Sequence, residues 1–437
     1  MYLEMANSFL SGMVLPAVLI SVGVYLAFRL RFFFLLHPIR FFKDLRGSEK
    51  DGGTSPFKAL SMALAGTLGV GNISGVATAI TSGGPGAVFW MWTSAAAAMS
   101  VKYAEVFLAV KYRERGETAD TYRGGAYYYM RGGLSRRIGK SGAKAAASFF
   151  AVLLVINSVL TGNVVQVNAA ASVFDGVPRI VCGIAIALVV FAVTAGGVRR
   201  IGDFTVRVIP FLTVLYAALS VFIIIINRGR VAGVFAKIFE NAFNFRAAAG
   251  GAAGYGISRA VRFGVTRGIF SNEAGCGTAP TAHAASNTKS PHKQGCFGIF
   301  EVFCDTIVMC TMTALVILLA GTPGGEGIPV SMSAYGAFCG KFGELSIGVS
   351  VVIFALATVI CQEFYGTEAL AALGVKKKYN IVYLVVSFGA TLVGSVMSSD
   401  AVWQFADFEI AVMTVINTLT VFVLSDEVVP KVKEVFK

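Results

Sequence analysis

Residues 65–75 read AGTLGVGNISG and residues 270–277 read FSNEAGCG, each inside a long apolar segment. In the first, Gly66, Gly69, Gly71 and Gly75 surround Asn72; in the second, Asn272 and Glu273 precede Gly275 and Gly277. Glycine costs about 1 kcal/mol in a helix interior, and polar groups at mid-membrane cost more still unless they are used. Both segments are therefore expected to break near the bilayer centre. At a break, freed N–H groups and the positive end of a half-helix can hold a carboxylate, while freed carbonyls can hold a cation. A zwitterion plus Na+ uses both and needs no buried permanent charge, which fits the absence of Asp, Glu, Lys and Arg between Lys58 and Lys102.

Working outward, the chain has 437 residues, 56% of them hydrophobic and only 14% charged, and a mean hydropathy of +0.71. That is too little charge to wet a folded surface of this size, so the chain belongs in a lipid bilayer. Its 35 Phe and 14 Tyr exclude disorder, and seven Cys exclude a disulfide scaffold. An apolar helix of about 20 residues crosses the hydrocarbon. Such segments fall at 8–30, 55–81, 86–112, 145–174, 178–198, 202–227, 256–286, 294–320, 346–372, 380–397 and 401–425. The first reads as a membrane helix rather than a cleaved signal, since no basic stretch precedes it. Setting it aside, the two interrupted segments open two sets of five helices. Because five is odd, the second set must insert upside down, the pattern of an inverted-repeat secondary transporter. The expected fold is an all-α integral membrane protein of about 11 transmembrane helices, a five-plus-five inverted repeat with one extra N-terminal helix and two broken helices. Its parts would be the extra helix and cytoplasmic linker (1–53), the first repeat (54–227), an external loop (228–255), the second repeat (256–425) and a cytoplasmic tail (426–437).

The formal charge of +13 is read as topology rather than nucleic-acid binding. Basic residues crowd the stretches 29–58 and 102–144, which suit anionic headgroups. With them inside, the N-terminus lies outside and the C-terminus in the cytoplasm of a multi-pass plasma-membrane protein. GVGNISG has the look of a phosphate loop but follows no strand and precedes no Walker lysine, so it is not read as a nucleotide site. Its bland alternative is close helix packing, which small residues also support. Packing alone does not ask for Thr67 or Asn72. An enzyme is not expected: His283 and His292 join no nucleophile elbow, and no HExxH, CxxC or Cys–His ligand spacing stands out.

The stretch GNISGVATAITSGGPGAVFWMWTSAAAAMSVKYAE (71–105), with RGIFSNEAGCGTAPTAHAAS (267–286) and FCDTIVMCTMTAL (303–315), resembles the alanine/glycine:cation symporter family over essentially the whole chain. The resemblance implies a leucine-transporter-type fold and sodium-driven uptake of a small neutral amino acid such as alanine or glycine, with Na+ as the co-transported ion. It implies that the amides of Val70 and Gly71 and the side chain of Asn72 face the substrate carboxylate, with the carbonyls of Ala65 and Leu68 on the sodium side. Phe270 resembles the aromatic lid, and Ser271, Asn272 and Gly275 belong to the unwound backbone facing the amino group. Gln166 would be a polar pocket wall, or else an interhelical hydrogen bond. Thr358 matches one sodium hydroxyl, while Ala357 lacks the partner oxygen of the family's Ser/Thr pair. Gln362 and Glu363 stand where the family tends to have Trp and Ser, which enlarges the expected pocket and adds a carboxylate able to bind a proton or an amine.

Intramembrane charges need partners. Glu273, with helix capping as its plain alternative, Glu301 and Asp305 four apart on one face, Asp407, and Arg259, Arg262 and Arg267 are the candidates, Arg262 and Arg267 as acid-paired parts of an external gate and Arg259 as a residue snorkelling to the interface. The Gly/Pro-led stretch 322–345 reads as a surface or re-entrant cap. Proton coupling through Glu273 or Glu363, a broader amino-acid range, or a non-transporting amino-acid sensor are the alternative functions. The lipid bilayer and the amino acid are the expected partners, and the sequence carries no reading of oligomeric state.

Overall fold

A computed structural model describes residues 2–46, 54–116, 121–174, 176–194, 197–243 and 252–429. Parts of the expected linker (47–53), basic segment (117–120), external loop (244–251) and tail (430–437) lie outside the described residues. The described residues are almost wholly helical, and two short strands among them pair Glu114 with Arg123 and Arg115 with Tyr122. In order the principal helices are α1 (Leu3–Arg29), α2 (Pro38–Leu45), α3 (Pro56–Thr67), α4 (Ser74–Gly83), α5 (Ala87–Tyr112), α6 (Ser135–Ala171), α7 (Arg179–Thr194), α8 (Arg200–Ile226), α9 (Arg228–Ala242), α10 (Ala252–Asn272), α11 (Ala279–Ala284), α12 (Pro291–Leu319), α13 (Ile328–Ala372), α14 (Lys377–Val396) and α15 (Ser399–Val423).

Seven of these among the described residues, α1, α6, α8, α12, α13, α14 and α15, are long and apolar enough to cross a membrane, and α3 with α4 makes an eighth, bent by 59°. The protein is thus a multi-pass helical membrane protein. The remaining expected segments are helical too, but α7 has only 16 residues, α5 carries Lys102, Glu105 and Lys111, and α10 carries Arg259, Arg262 and Arg267. α5 is nevertheless central: it packs on α1, α10, α11 and α12 and is buried from Ala97 to Val110. Lys102, counted above among cytoplasmic charges, is fully buried in it. Large exposed apolar residues such as Phe211 and Val214 on α8 and Val385 and Val386 on α14 face outward, as lipid contact requires.

Both expected breaks are present. α3 stops at Thr67, a 3-10 turn follows at Val70–Asn72, and α4 begins at Ser74. α10 stops at Asn272, and Glu273, Gly275 and Gly277 all take positive φ before the short α11. For Glu273, at φ +48°, this left-handed backbone is uncommon in a residue with a Cβ. α13 spans 45 residues, about 67 Å if straight, which exceeds any bilayer. Gly340 (φ 56°, ψ −148°) divides it, so Ile328 to Gly340 is a separate arm, whose Ser331 donates to the Ile73 carbonyl at 3.1 Å. The segment expected as external loop 228–255 contains α9, whose Phe239, with Phe243 just after the helix, packs on Phe89 of α5.

Candidate functional site

The two breaks meet face to face. A Cβ on Gly71 would stand 2.9 Å from the Ser271 Cα and 3.1 Å from Phe270, so only glycine permits this approach. Asp305 of α12 ties the breaks together. Its carboxylate accepts from Asn72 Nδ2 at 2.9 Å, and from Ser271 Oγ and Thr306 Oγ1 at 2.8 Å each. Thr306 accepts from Asn272 Nδ2 at 3.0 Å. The Asn72 side-chain oxygen is buried with no hydrogen-bond partner, an unusual state for a buried acceptor.

On the other flank, the Val70 amide donates to Gln166 Oε1 at 3.0 Å, and Thr358 Oγ1 donates to the Ala65 carbonyl at 2.9 Å. Leu68 caps α3, where carbonyls lose their helical partners. Gly69 sits between the two groups, since a Cβ there would stand 2.7 Å from both Gln166 Oε1 and Thr358 Oγ1. Phe270 lies against Trp403, ring centroids 4.6 Å apart. The Arg267 guanidinium stacks on that indole at 4.3 Å and grips Asp407 through two hydrogen bonds of 2.6 and 2.9 Å. Gln362 donates to Glu273 at 3.0 Å and accepts from Asn157 at 3.3 Å, fixing the second break to α6.

The structure therefore gathers Ala65, Leu68, Val70, Gly71, Asn72, Gln166, Phe270, Ser271, Asn272 and Thr358 around the junction of the breaks, with Gln362 behind Glu273. Gly275 is engaged elsewhere: its amide donates to Glu105 at 3.3 Å and its carbonyl accepts from Asn417 at 2.8 Å. Glu273, whose plain alternative was helix capping, accepts from the Thr278 hydroxyl and Gln362. Glu301 and Asp305 part company: Glu301 pairs with Lys102 at 3.3 Å and His283 at 2.8 Å. The difference lies in what neighbouring elements bring to each: Lys102 and His283 to Glu301, Asn72 and Ser271 to Asp305. Ion pairing also explains the burial of Lys102, with Glu105 at 3.7 Å completing the cluster. The Lys102–Glu105 spacing of one helical turn was the available signal for this cluster. Asp305 appears above only as a charge needing a partner, and Trp403 not at all.

With this geometry in hand, comparison with known proteins is direct. The model of the sodium:alanine symporter family matches residues 1–437. The chain is 37% identical to the sodium/alanine symporter AgcS of Methanococcus maripaludis, covering 98% of this chain and 95% of that protein. It is 34% identical to the probable sodium/glutamine symporter GlnT of Bacillus subtilis, with 98% and 89% covered. With the putative sodium/proton-dependent alanine carrier YrbD of the same organism it shares 32% identity, over 94% and 87%. A whole-length family match and a broken-helix core held together by buried polar groups lead to one conclusion: the chain belongs to the sodium:alanine symporter family, a membrane transporter that moves an amino acid together with Na+ and not an enzyme.

Proposed function

We propose that the amino acid is small and neutral, alanine or glycine, and that it binds at the junction of the two breaks. The observation that carries this is the Val70 amide held by the Gln166 side-chain oxygen at 3.0 Å. A freed backbone N–H at a half-helix end is suited to a carboxylate, and the substrate carboxylate would take the position of that amide oxygen, with Gly71 and Asn72 beside it. Ser271 and Asn272 serve the ammonium side, Phe270 closes over the ligand, and Gln166 and Gln362 bound the pocket. Gly275 belongs to the supporting turn.

Na+ is assigned to the carbonyls of Ala65 and Leu68 and the Thr358 hydroxyl, whose oxygen already lies 2.9 Å from the Ala65 carbonyl oxygen. Hard cations gather oxygens in this way; the remaining ligands come from water or substrate, because Ala357 supplies none. Transport then follows alternating access, one helical bundle rocking about the fixed site. We further assign the leucine-transporter-type arrangement: eleven spans, the extra helix and linker 1–53, inverted repeats 54–227 and 256–425 flanking the external segment 228–255, and the tail 426–437. The N-terminus is outside and the C-terminus cytoplasmic in the plasma membrane. A second reading, proton assistance, is favoured by Glu363, whose buried carboxylate accepts from the Ser387 hydroxyl.

Counterflow in liposomes tests the assignment. Preloaded unlabelled alanine should drive entry of labelled alanine, and Asn72→Ala should abolish it. Exchange of only larger amino acids, or an unaffected Asn72→Ala variant, would overturn the substrate or the site. A protein that binds but exchanges nothing would be a sensor.

A further inference from the structure

The sequence shows no familiar Cys–His ligand pattern, yet His292 and Cys296 stand four residues apart in α12 and therefore on one helix face. α2 packs against this turn and brings Asp44 to it. Asp44 Oδ2 lies 3.3 Å from His292 Nε2, and Cys296 Sγ lies 3.8 Å from the same nitrogen. One ligand atom from each residue falls within 4.8 Å of the other two. His292 Nδ1 is held by the Tyr103 hydroxyl at 2.7 Å, and its ring packs in one aromatic cluster with Phe33 and Tyr103. That outer hydrogen bond fixes the ring and directs Nε2 at the pair, as the partners of metal-bound imidazoles do.

The distances are compatible with a ligand set. Tetrahedral Zn2+, with Zn–N about 2.05 Å, Zn–S about 2.3 Å and Zn–O about 2.0 Å, has N···O and N···S edges of about 3.3 and 3.6 Å. The observed edges are 3.3 and 3.8 Å. A hydrogen bond between His292 and Asp44 does not by itself ask for a buried thiol beside the same nitrogen.

We propose that Asp44, His292 and Cys296 bind a divalent transition cation, Zn2+ foremost, with water as the fourth ligand. A mixed N, O and S set suits this metal. Binding takes the Cys296 sulfur as thiolate, its proton passing to solvent, and the carboxylate and thiolate together balance the two positive charges. Arg40 and Lys293 lie within electrostatic reach of the imidazole and weaken the site without entering it. The metal would pin the segment after the first helix to α12, which carries Asp305 three turns further on, and so would tie the linker to the helix that joins the two breaks.

The test uses the full-length protein in detergent, without a polyhistidine tag, stripped with chelator and titrated with Co2+ followed by visible absorption, and with Zn2+ by calorimetry. One equivalent should bind, with tetrahedral cobalt bands and a thiolate-to-cobalt charge-transfer band that Cys296→Ser removes. Asp44→Asn should weaken affinity about 10–100-fold, and so should removing the outer partner with Tyr103→Phe. Cys339→Ser is the unaffected control. Because the wild-type cobalt spectrum stands alone as a readout, a variant that fails to fold leaves the test intact. Absence of a thiolate band, no saturable binding, or binding unchanged in both Cys296→Ser and Asp44→Asn would overturn the proposal, whatever the outcome for transport.

Discussion

Gly69→Ala is the substitution that reports on both halves of the site at once. Its added methyl carbon would stand 2.7 Å from Gln166 Oε1, on the substrate side, and 2.7 Å from Thr358 Oγ1, on the sodium side. Both neighbours are held by their own hydrogen bonds, to the Val70 amide and the Ala65 carbonyl, so neither can retreat without giving one up. Overpacking of this kind costs about 1–3 kcal/mol, equivalent to roughly 5–150-fold in a binding constant. Apparent affinities for alanine and for Na+ should therefore fall together in proteoliposome uptake. Gly75→Ala, in the same motif, is the control: its Cβ would meet nothing closer than 4.0 Å, and it should transport normally with a helix no less stable. Unchanged Na+ and alanine concentration dependences in Gly69→Ala, with normal expression, would refute the placement of the two sites on either side of Gly69.

Thr358→Ala removes a proposed sodium oxygen, an interaction with charge worth about 1.5–3 kcal/mol; the half-saturating Na+ concentration should rise at least tenfold while Thr358→Ser stays near wild type. Asp407→Asn leaves the Arg267 guanidinium, 3% exposed, without its carboxylate; a lost partner in a buried pair costs up to about 3–5 kcal/mol, read as a lowered melting temperature, and Arg267→Gln in the same background should restore part of it. At the end of α15, burial raises the Glu427 carboxyl, but hydrogen bonds from Lys111 and Tyr112 outweigh it and hold the group below its ordinary value. A depressed carboxylate contributes stability above its unfolded pKa and loses it as pH falls through the folded one. The melting temperature should thus drop on acidification below about pH 4.5, and Glu427→Gln should flatten that part of the profile.

Glycine clustered around Asn72 and around Glu273 was enough to locate both breaks, because helix cost and intramembrane polarity act locally and leave a local mark. The residues facing those breaks from other helices were less visible. Thr358 and Gln166 came from family resemblance, and their contacts with Gly69 depend on distant chain. Asp305 stood out as a charge, but its partners Asn72 and Ser271 come from distant parts of the chain and leave no local mark. Lys102 reads in the sequence as one of the basic loop residues, and its burial against Glu301 is a long-range pairing that composition cannot show. The helical character of the arm before Gly340 and of α9 was not legible, because short, mixed-polarity helices lack the long apolar period that marks a span.

The most direct measurement is radiolabelled alanine uptake into proteoliposomes under an inward Na+ gradient, compared with an inward H+ gradient at matched membrane potential. Concentrative uptake that requires Na+ and falls in Thr358→Ala is the predicted result, and it would also be driven by an inside-negative potential, since each co-transported charge is worth about 2.3 kcal/mol per 100 mV. Accumulation driven by H+ alone, with Na+ without effect, would contradict the account and move the coupling to a carboxylate such as Glu363.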